Sequence, residues 1–269
     1  MPKVNHPKSP DDPIRSEKLQ AFDRLLTIMD ELRENCPWDR NQTLRSLRHL
    51  TIEETYELSD AILENDLNEV KKELGDLMLH LIFYAKIAAE GSAFHIGDVL
   101  NSVADKLVNR HPNIYGDVEV QNEEEVKQNW EKIKLKENGN HSVLGGVPQS
   151  LPALVKAMRI QEKARGVGFD WDKKAQVWEK VQEEMSEFLE ASHNKDQDGM
   201  ENEFGDLLFS LINYSRFVNI NPEEALELTN KKFIKRFQFL ENAAKSDGKQ
   251  ISELTLEEMD LYWEKAKGD

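Results

Sequence analysis

The chain has 269 residues, 39% of them hydrophobic and 32% charged, with 51 acidic against 35 basic side chains and a formal net charge of −16. That length holds two compact domains or one large one. The charge excludes sequence-independent binding to polymeric nucleic acid, though not to a single nucleotide whose phosphates arrive with metal.

The N-terminal stretch Met1–Lys18 is rich in Pro, Lys and Asp and lacks the apolar centre of a signal peptide. No later run is long and apolar enough to span a membrane. A first helix is predicted over Leu19–Leu32, where Phe22, Leu25, Leu26, Met29 and Leu32 recur at helical spacing. Cys36, the lone cysteine, cannot close an internal disulfide and reads as a small core residue, which suits a reducing, cytoplasmic setting.

The next predicted helix carries Glu54 and Glu57, and the one after it Glu73 and Asp76. Carboxylates three apart share a helix face. From Glu57 to about Glu64 the chain descends roughly 10 Å at about 1.5 Å per residue. Asn65, Asp66 and Asn68 then supply turn and cap chemistry, and the return to Glu73 covers a similar length. An antiparallel hairpin therefore sets the two acidic pairs level. Gly75 sits inside the second helical pattern, as either a point of close approach or a tolerated imperfection.

The pattern then repeats. Glu184, Glu187, Glu203 and Asp206 have the same separations of 3, 16 and 3, all displaced by 130 positions. ELGDLMLHLIFYAK around Glu73 matches EFGDLLFSLINYSR around Glu203 at that offset. DKLVNRH (Asp105–His111) resembles KKFIKRF (Lys231–Phe237) at offset 126, and EEVKQNWEKIK, ending at Lys134, resembles EEMDLYWEKAK, ending at Lys267, at offset 133. Three collinear matches point to internal duplication. The expected organisation is all-α: two tandem repeated helical-bundle domains of about four helices each, residues 19–135 and 153–269, joined by a Gly- and Pro-rich linker, 136–152. Each has few residues for a core, so packing against another unit or another chain is expected.

Four converging carboxylates repel unless a proton or a cation sits among them. All-oxygen ligands without histidine or thiolate favour Mg2+, with Mn2+ the alternative. A di-iron centre would need Glu-x-x-His pairs; His80 follows Asp76 by four, but Ser210 takes its place in the second copy. Glu53 and Glu183 are either outer groups of the site or exposed surface. Lys180 lies one turn before the second acidic group, and Lys232, Lys235 and Arg236 share one helix. Lysine and arginine are natural partners for phosphate oxygens that metal leaves uncovered. Trp130 and Trp263 occupy matching places, available either to stack on a base or to fill core or interface.

From about Leu19 to Lys267 the chain resembles MazG-type nucleoside triphosphate pyrophosphohydrolases. The resemblance rests on CPWDRNQT (Cys36–Thr43), TIEETYEL (Thr51–Leu58), ELGDL (Glu73–Leu77), DKLVNRHP (Asp105–Pro112), SLPALVKAMRIQEKA (Ser150–Ala164), VGFDW (Val167–Trp171) and EFGDLLF (Glu203–Phe209). It implies the all-α NTP pyrophosphatase fold, usually dimeric. It also implies Mg2+-dependent cleavage of nucleoside triphosphates, canonical or aberrant, to monophosphate and pyrophosphate. The second copy is then the active one, with Glu184, Glu187, Glu203 and Asp206 as metal-binding catalytic residues. The implied substrate-binding set is Lys180, Glu183, Asn213, Asn230, Lys232, Lys235, Arg236 and Trp263. The first copy has Phe83, Ala104 and Asn109 where the second has Asn213, Asn230 and Lys235, so a weakly active or structural role is expected for it. Gly199 stands where many members carry a lysine, leaving that phosphate contact to Lys195 or the other domain. The alternative from another class is a non-catalytic helical module that binds nucleotide or protein.

Overall fold

The computed structural model describes residues 12–122, 125–126, 129–130, 133 and 142–267, and every regular element among them is helical. The chain divides into two compact units, Met1–Lys136 and Glu137–Asp269. Part of the expected linker (136–141), much of the repeat match ending at Lys134, and Met1–Asp11 lie outside the described residues.

In the first unit, α1 (Arg15–Asn35) is followed by the short α2 (Pro37–Arg40), then α3 (Leu44–Leu63) and α4 (Leu67–Glu90), with α5 (Ile96–Arg110) and the short α6 (Pro112–Tyr115) after them. Thr43 and Ser46 begin α3 with a reciprocal capping box, each side chain accepting from the other's backbone N–H, at 3.0 and 2.9 Å. Asp66 caps α4 by accepting from the N–H groups of Asn68 and Glu69. Between the helices Asn65 adopts a left-handed φ of 56°, a conformation that asparagine tolerates better than most residues.

The apolar periodicity of α1 becomes the core. Met29, Leu47, Ile82 and Phe83 are fully enclosed, with Phe22, Leu25, Leu26 and Leu50 packed around them. Arg33 closes this core at one end. Its guanidinium donates to the backbone oxygens of Asp39 and Gln42 and pairs with Glu90 at the end of α4. It also lies over the Phe83 ring, 5.6 Å from the centroid. Cys36 is half-buried beside it, at the cap of α2.

The second unit repeats the plan: α7 (Ala153–Gly166), α8 (Lys174–His193), α9 (Gln197–Phe217), α10 (Pro222–Ser246), a 3-10 turn (Ile251–Glu253) and α11 (Leu256–Ala266). The α8–α9 turn copies the α3–α4 turn. Lys195 stands 130 residues after Asn65 with the same φ of 56°, and Asp196 caps α9 by accepting from Gly199 N–H at 3.1 Å. Val177, Val181 and Leu207 are buried on α8 and α9, which pack against each other more extensively than any other pair of helices. A second cluster of Leu240, Ala244, Leu254 and Tyr262 joins α10 to α11. Gly75 and Gly205 face open space, where an added Cβ would meet nothing, so close packing within the chain requires neither. No helix among the described residues is long and apolar enough to cross a membrane.

The Arg33 hydrogen bond holds the Glu90 carboxyl below its ordinary pKa of 4.5, against the opposing effect of burial. A depressed carboxyl stabilises the fold above its unfolded value and ceases to do so as pH falls through its folded one. Wild type should therefore melt above Glu90→Gln at neutral pH, and the gap should close as pH drops below about 4.5. A gap in melting temperature that stays constant from pH 7 to pH 3 would contradict this assignment.

Candidate functional site

The hairpin turns bring the acids level. Glu184 and Glu187 lie on α8 and Glu203 on α9, and carboxylate oxygens from all three fall within 4.8 Å of one another. Glu54, Glu57 and Glu73 form the equivalent group on α3 and α4. Glu184 is buried, 4% exposed; Glu203 is half-buried and Glu187 faces solvent. The fourth acid of each set does not join. Asp206 is exposed and lies outside the mutually close group, as does Asp76. The spacing of three does not itself separate them, since Glu184 and Glu187 are also three apart and both join the group. Asp206 still acts on the cluster electrostatically. Burial first, then repulsion from Glu187, Glu184 and Asp206, raises the Glu203 carboxyl above its ordinary pKa.

Lysines absorb part of this repulsion, from opposite sides in the two units. Lys180, one turn before Glu184 on α8, bridges Glu184 at 2.5 Å and Glu183 at 3.0 Å, and these hydrogen bonds raise its own pKa. In the first unit the lysine is Lys72 on α4, 2.9 Å from Glu73 Oε1; its bond holds the Glu73 carboxyl below the ordinary range. There Glu54 is the acid pushed up, mainly by burial and by Asp76. Each unit thus has one lysine-paired acid facing one that resists ionisation. This donor set fits a hard divalent cation: clustered oxygens, net negative charge and an open side at Glu187 or Glu57.

The other candidates are dispersed. Asn213 is buried on α9, 5% exposed, and its Oδ1 accepts from Arg216 at 2.8 Å. Arg216 also grips Asp170, in the loop before α8, through both Nη atoms at 2.8 and 2.5 Å. This Asp170–Arg216–Asn213 relay was not anticipated from the sequence; the only local signal is Arg216 three residues after Asn213. Lys232 and Lys235 are exposed on α10, Arg236 is half-buried there, and no hydrogen bond or ion pair joins them to the acids. Asn230 is exposed and donates to Glu227. Trp263 is half-buried, tilted against Phe233 at 5.0 Å and packed on the α10–α11 core, as Trp130 meets His111 edge-on at 5.1 Å. A Cβ on Gly199 would lie 2.5 Å from Asp196 Oδ2, so a lysine there would have to displace the cap of α9.

Comparison with known proteins identifies similar chains. The model of the MazG nucleotide pyrophosphohydrolase domain matches residues 42–115 and 173–238, one stretch in each unit. The nucleoside triphosphate pyrophosphohydrolase/pyrophosphatase MazG of Thermotoga maritima is 47% identical over 251 residues, covering 92% of this chain and 96% of that one. The nucleoside triphosphate pyrophosphohydrolase of Escherichia coli K12 is 39% identical over 257 residues, covering 93% and 98%. Among solved structures, a mazG-related protein from Thermotoga maritima aligns at 25% identity with a TM-score of 0.38, over 42% of this chain and 97% of that one.

Because burial, and after it repulsion from neighbouring carboxylates, raises the Glu203 carboxyl, its charge destabilises the cation-free fold at neutral pH. Its stabilising proton is held at low pH and lost as pH rises through the raised value. Glu203→Gln should melt higher than wild type at pH 8 in EDTA, with the advantage vanishing toward pH 4. A lower melting temperature at pH 8 would show that burial and repulsion do not disfavour the Glu203 charge.

Proposed function

The chain belongs to the MazG family of nucleotide pyrophosphohydrolases, and on that premise we propose that its second unit houses the hydrolytic centre. The reaction is hydrolysis of nucleoside triphosphates to the monophosphate and pyrophosphate. The observation that carries the assignment is the carboxylate cluster of Glu184, Glu187 and Glu203 with Lys180 beside it. The expectation of a non-catalytic binding module gives way to the enzyme.

Glu184, Glu187 and Glu203 would hold Mg2+, with Asp206 at the edge of the site adding negative potential; Mn2+ suits the same donors. When bound, the ion draws charge from the phosphates and lowers the pKa of a coordinated water. Glu187, at the exposed side of the cluster, accepts the proton of the attacking water on its carboxylate. Lys180 pairs with Glu184 and offers its remaining N–H donors to a phosphate oxygen. Glu183 holds the same lysine from the solvent side. Lys232, Lys235 and Arg236 receive the charge of the departing pyrophosphate. Asn213, its Oδ1 already engaged by Arg216, orients its amide NH2 toward the nucleoside, and Asn230 and Trp263 complete that subsite.

Homodimerisation belongs to the same proposal. Phe204, Leu208 and Leu211 form an exposed stripe at i, i+4 and i+7 on α9, and Leu74, Met78 and Leu81 form its counterpart on α4. Apolar stripes of this spacing call for a partner, and a second copy supplies one. Cytoplasmic residence is also proposed, in keeping with the free Cys36.

With purified full-length chain, Mg2+ and mixed nucleoside triphosphates, Glu184→Ala or Glu203→Ala should reduce pyrophosphate release by about 1000-fold or more while helicity is retained. Glu54→Ala or Glu73→Ala should cost less than about tenfold. Equal losses from both units would refute the division of labour. Light scattering should give the mass of two chains, and a single-chain mass for the active enzyme would remove the dimer from the proposal.

A further inference from the structure

The Asp170–Arg216–Asn213 relay is a costly way to hold two segments together. The side chains of Arg216 and Asp170 are largely withdrawn from water, 25% and 22% exposed, and Arg216 Nε is buried with no hydrogen-bond partner. A guanidinium placed in this way loses hydration that its ion pair only partly returns. The first unit shows that the same backbone has another solution. At the position of Asn213 it carries Phe83, enclosed in its apolar core. At the position of Arg216 it carries Lys86, which pairs with Asp30 of α1 at 2.6 Å in a more open setting. The relay therefore has a task other than stability.

What it contributes is direction. Both carboxylate oxygens of Asp170 accept from Arg216, at 2.8 and 2.5 Å, and Oδ1 also accepts from the Trp171 N–H at 2.9 Å. Asn213 steadies the same guanidinium from within α9 at 2.8 Å. A bidentate pair fixes separation and plane together. Gly168, with a φ of 87°, turns the chain just ahead of Asp170, and α8 begins soon after it at Lys174. The rest of the α8–α9 contact is apolar: Val177, Val181 and Leu207 are buried, and the ring pairs Trp178–Tyr214 and Phe188–Phe204 lie 4.9 and 5.7 Å apart. Apolar contact is non-directional and restrains an axial slide less sharply than a bidentate pair does. Lys180 lies about 9 Å along α8 from Lys174. A shift at the start of this helix reaches Lys180, Glu184 and Glu187 together, while Glu203 stays with α9.

We propose that Asp170 and Arg216 are positioning residues for hydrolysis. Their ion pair sets the register of α8 against α9, and thereby the placement of Lys180, Glu184 and Glu187 against Glu203. The proposal rests on the second unit as the hydrolytic centre. Neither residue touches substrate; both act through the groups on α8. A misplacement of about 1 Å is enough to slow such a reaction about 100-fold.

The test separates register from stability, using the full chain with Mg2+ and mixed nucleoside triphosphates. Asp170→Asn keeps the size of the side chain and Arg216→Lys keeps its charge, but each breaks the bidentate geometry. Each should lower kcat about 30-fold while KM changes less than about threefold. The apolar pair Asp170→Leu with Arg216→Met should melt at or above the wild-type temperature, since no charge is left buried and unpaired, yet remain as slow as the single variants. The exchanged pair Asp170→Arg with Arg216→Asp should recover kcat to within about fivefold of wild type. Wild-type kcat in the apolar pair, or no recovery in a folded exchanged pair, overturns the proposal. If the apolar pair does not fold, the exchanged pair decides alone. Glu184→Ala, assayed in parallel, keeps the two readings distinct. Turnover that survives there overturns the catalytic assignment on which the proposal rests. Turnover lost there but full in the apolar pair overturns the positioning role alone.

Discussion

Like charges held together across a helical hairpin are the constraint on which the rest of this protein is built. Glu184 and Glu187 from one helix and Glu203 from the next are pressed within 4.8 Å, in a setting where burial and mutual repulsion resist full ionisation of Glu203. Such an arrangement persists only if packing elsewhere outweighs the repulsion. Val177, Val181 and Leu207 provide that packing on the same two helices. Lys180 relieves part of the remaining charge. The unrelieved part is what makes the cluster receptive to a cation: an electrostatic strain in the protein alone becomes a binding site when positive charge arrives.

Duplication has let one architecture be adjusted twice. Both hairpins use an aspartate cap and a left-handed residue at the turn, Asn65 in one and Lys195 in the other. A lysine is less at ease in that conformation than an asparagine, by about 1 kcal/mol or more, so the second hairpin keeps its turn through packing of the long α8–α9 contact rather than through the turn residue itself. The charge-compensating lysine has moved from the third acid in the first unit to the first acid in the second. Around it, Phe83 extends the apolar core where Asn213 joins a polar relay to Arg216 and Asp170. The relay anchors the loop before α8 to α9. The same backbone therefore supports an enclosed, apolar-backed acid cluster in one unit and a polar-backed one in the other.

Much of this was legible in the chain itself. Helical period, the repeat offsets, the Asx caps and the spacing of the acids are local or near-local properties, determined by 3.6 residues per turn and by the short turn between the paired helices. Sequence alone thus determined that the protein is all-α, that it is duplicated, and that acidic pairs face each other across a hairpin in each copy; it expected all four acids to meet, and the structure gathers the three glutamates. Its family followed from the same motifs. Only the tertiary structure decided that Asp76 and Asp206 stand aside while Glu57 and Glu187, equally three residues from the acid before them, join the group. It also decided which lysine pairs with which acid, that Glu73 keeps a buried oxygen unpartnered, and that Arg216 occupies Asn213. These are distances between side chains on different helices or at the ends of flexible ones. They depend on how deeply each helix sinks against its neighbour, a quantity that no spacing along the chain encodes.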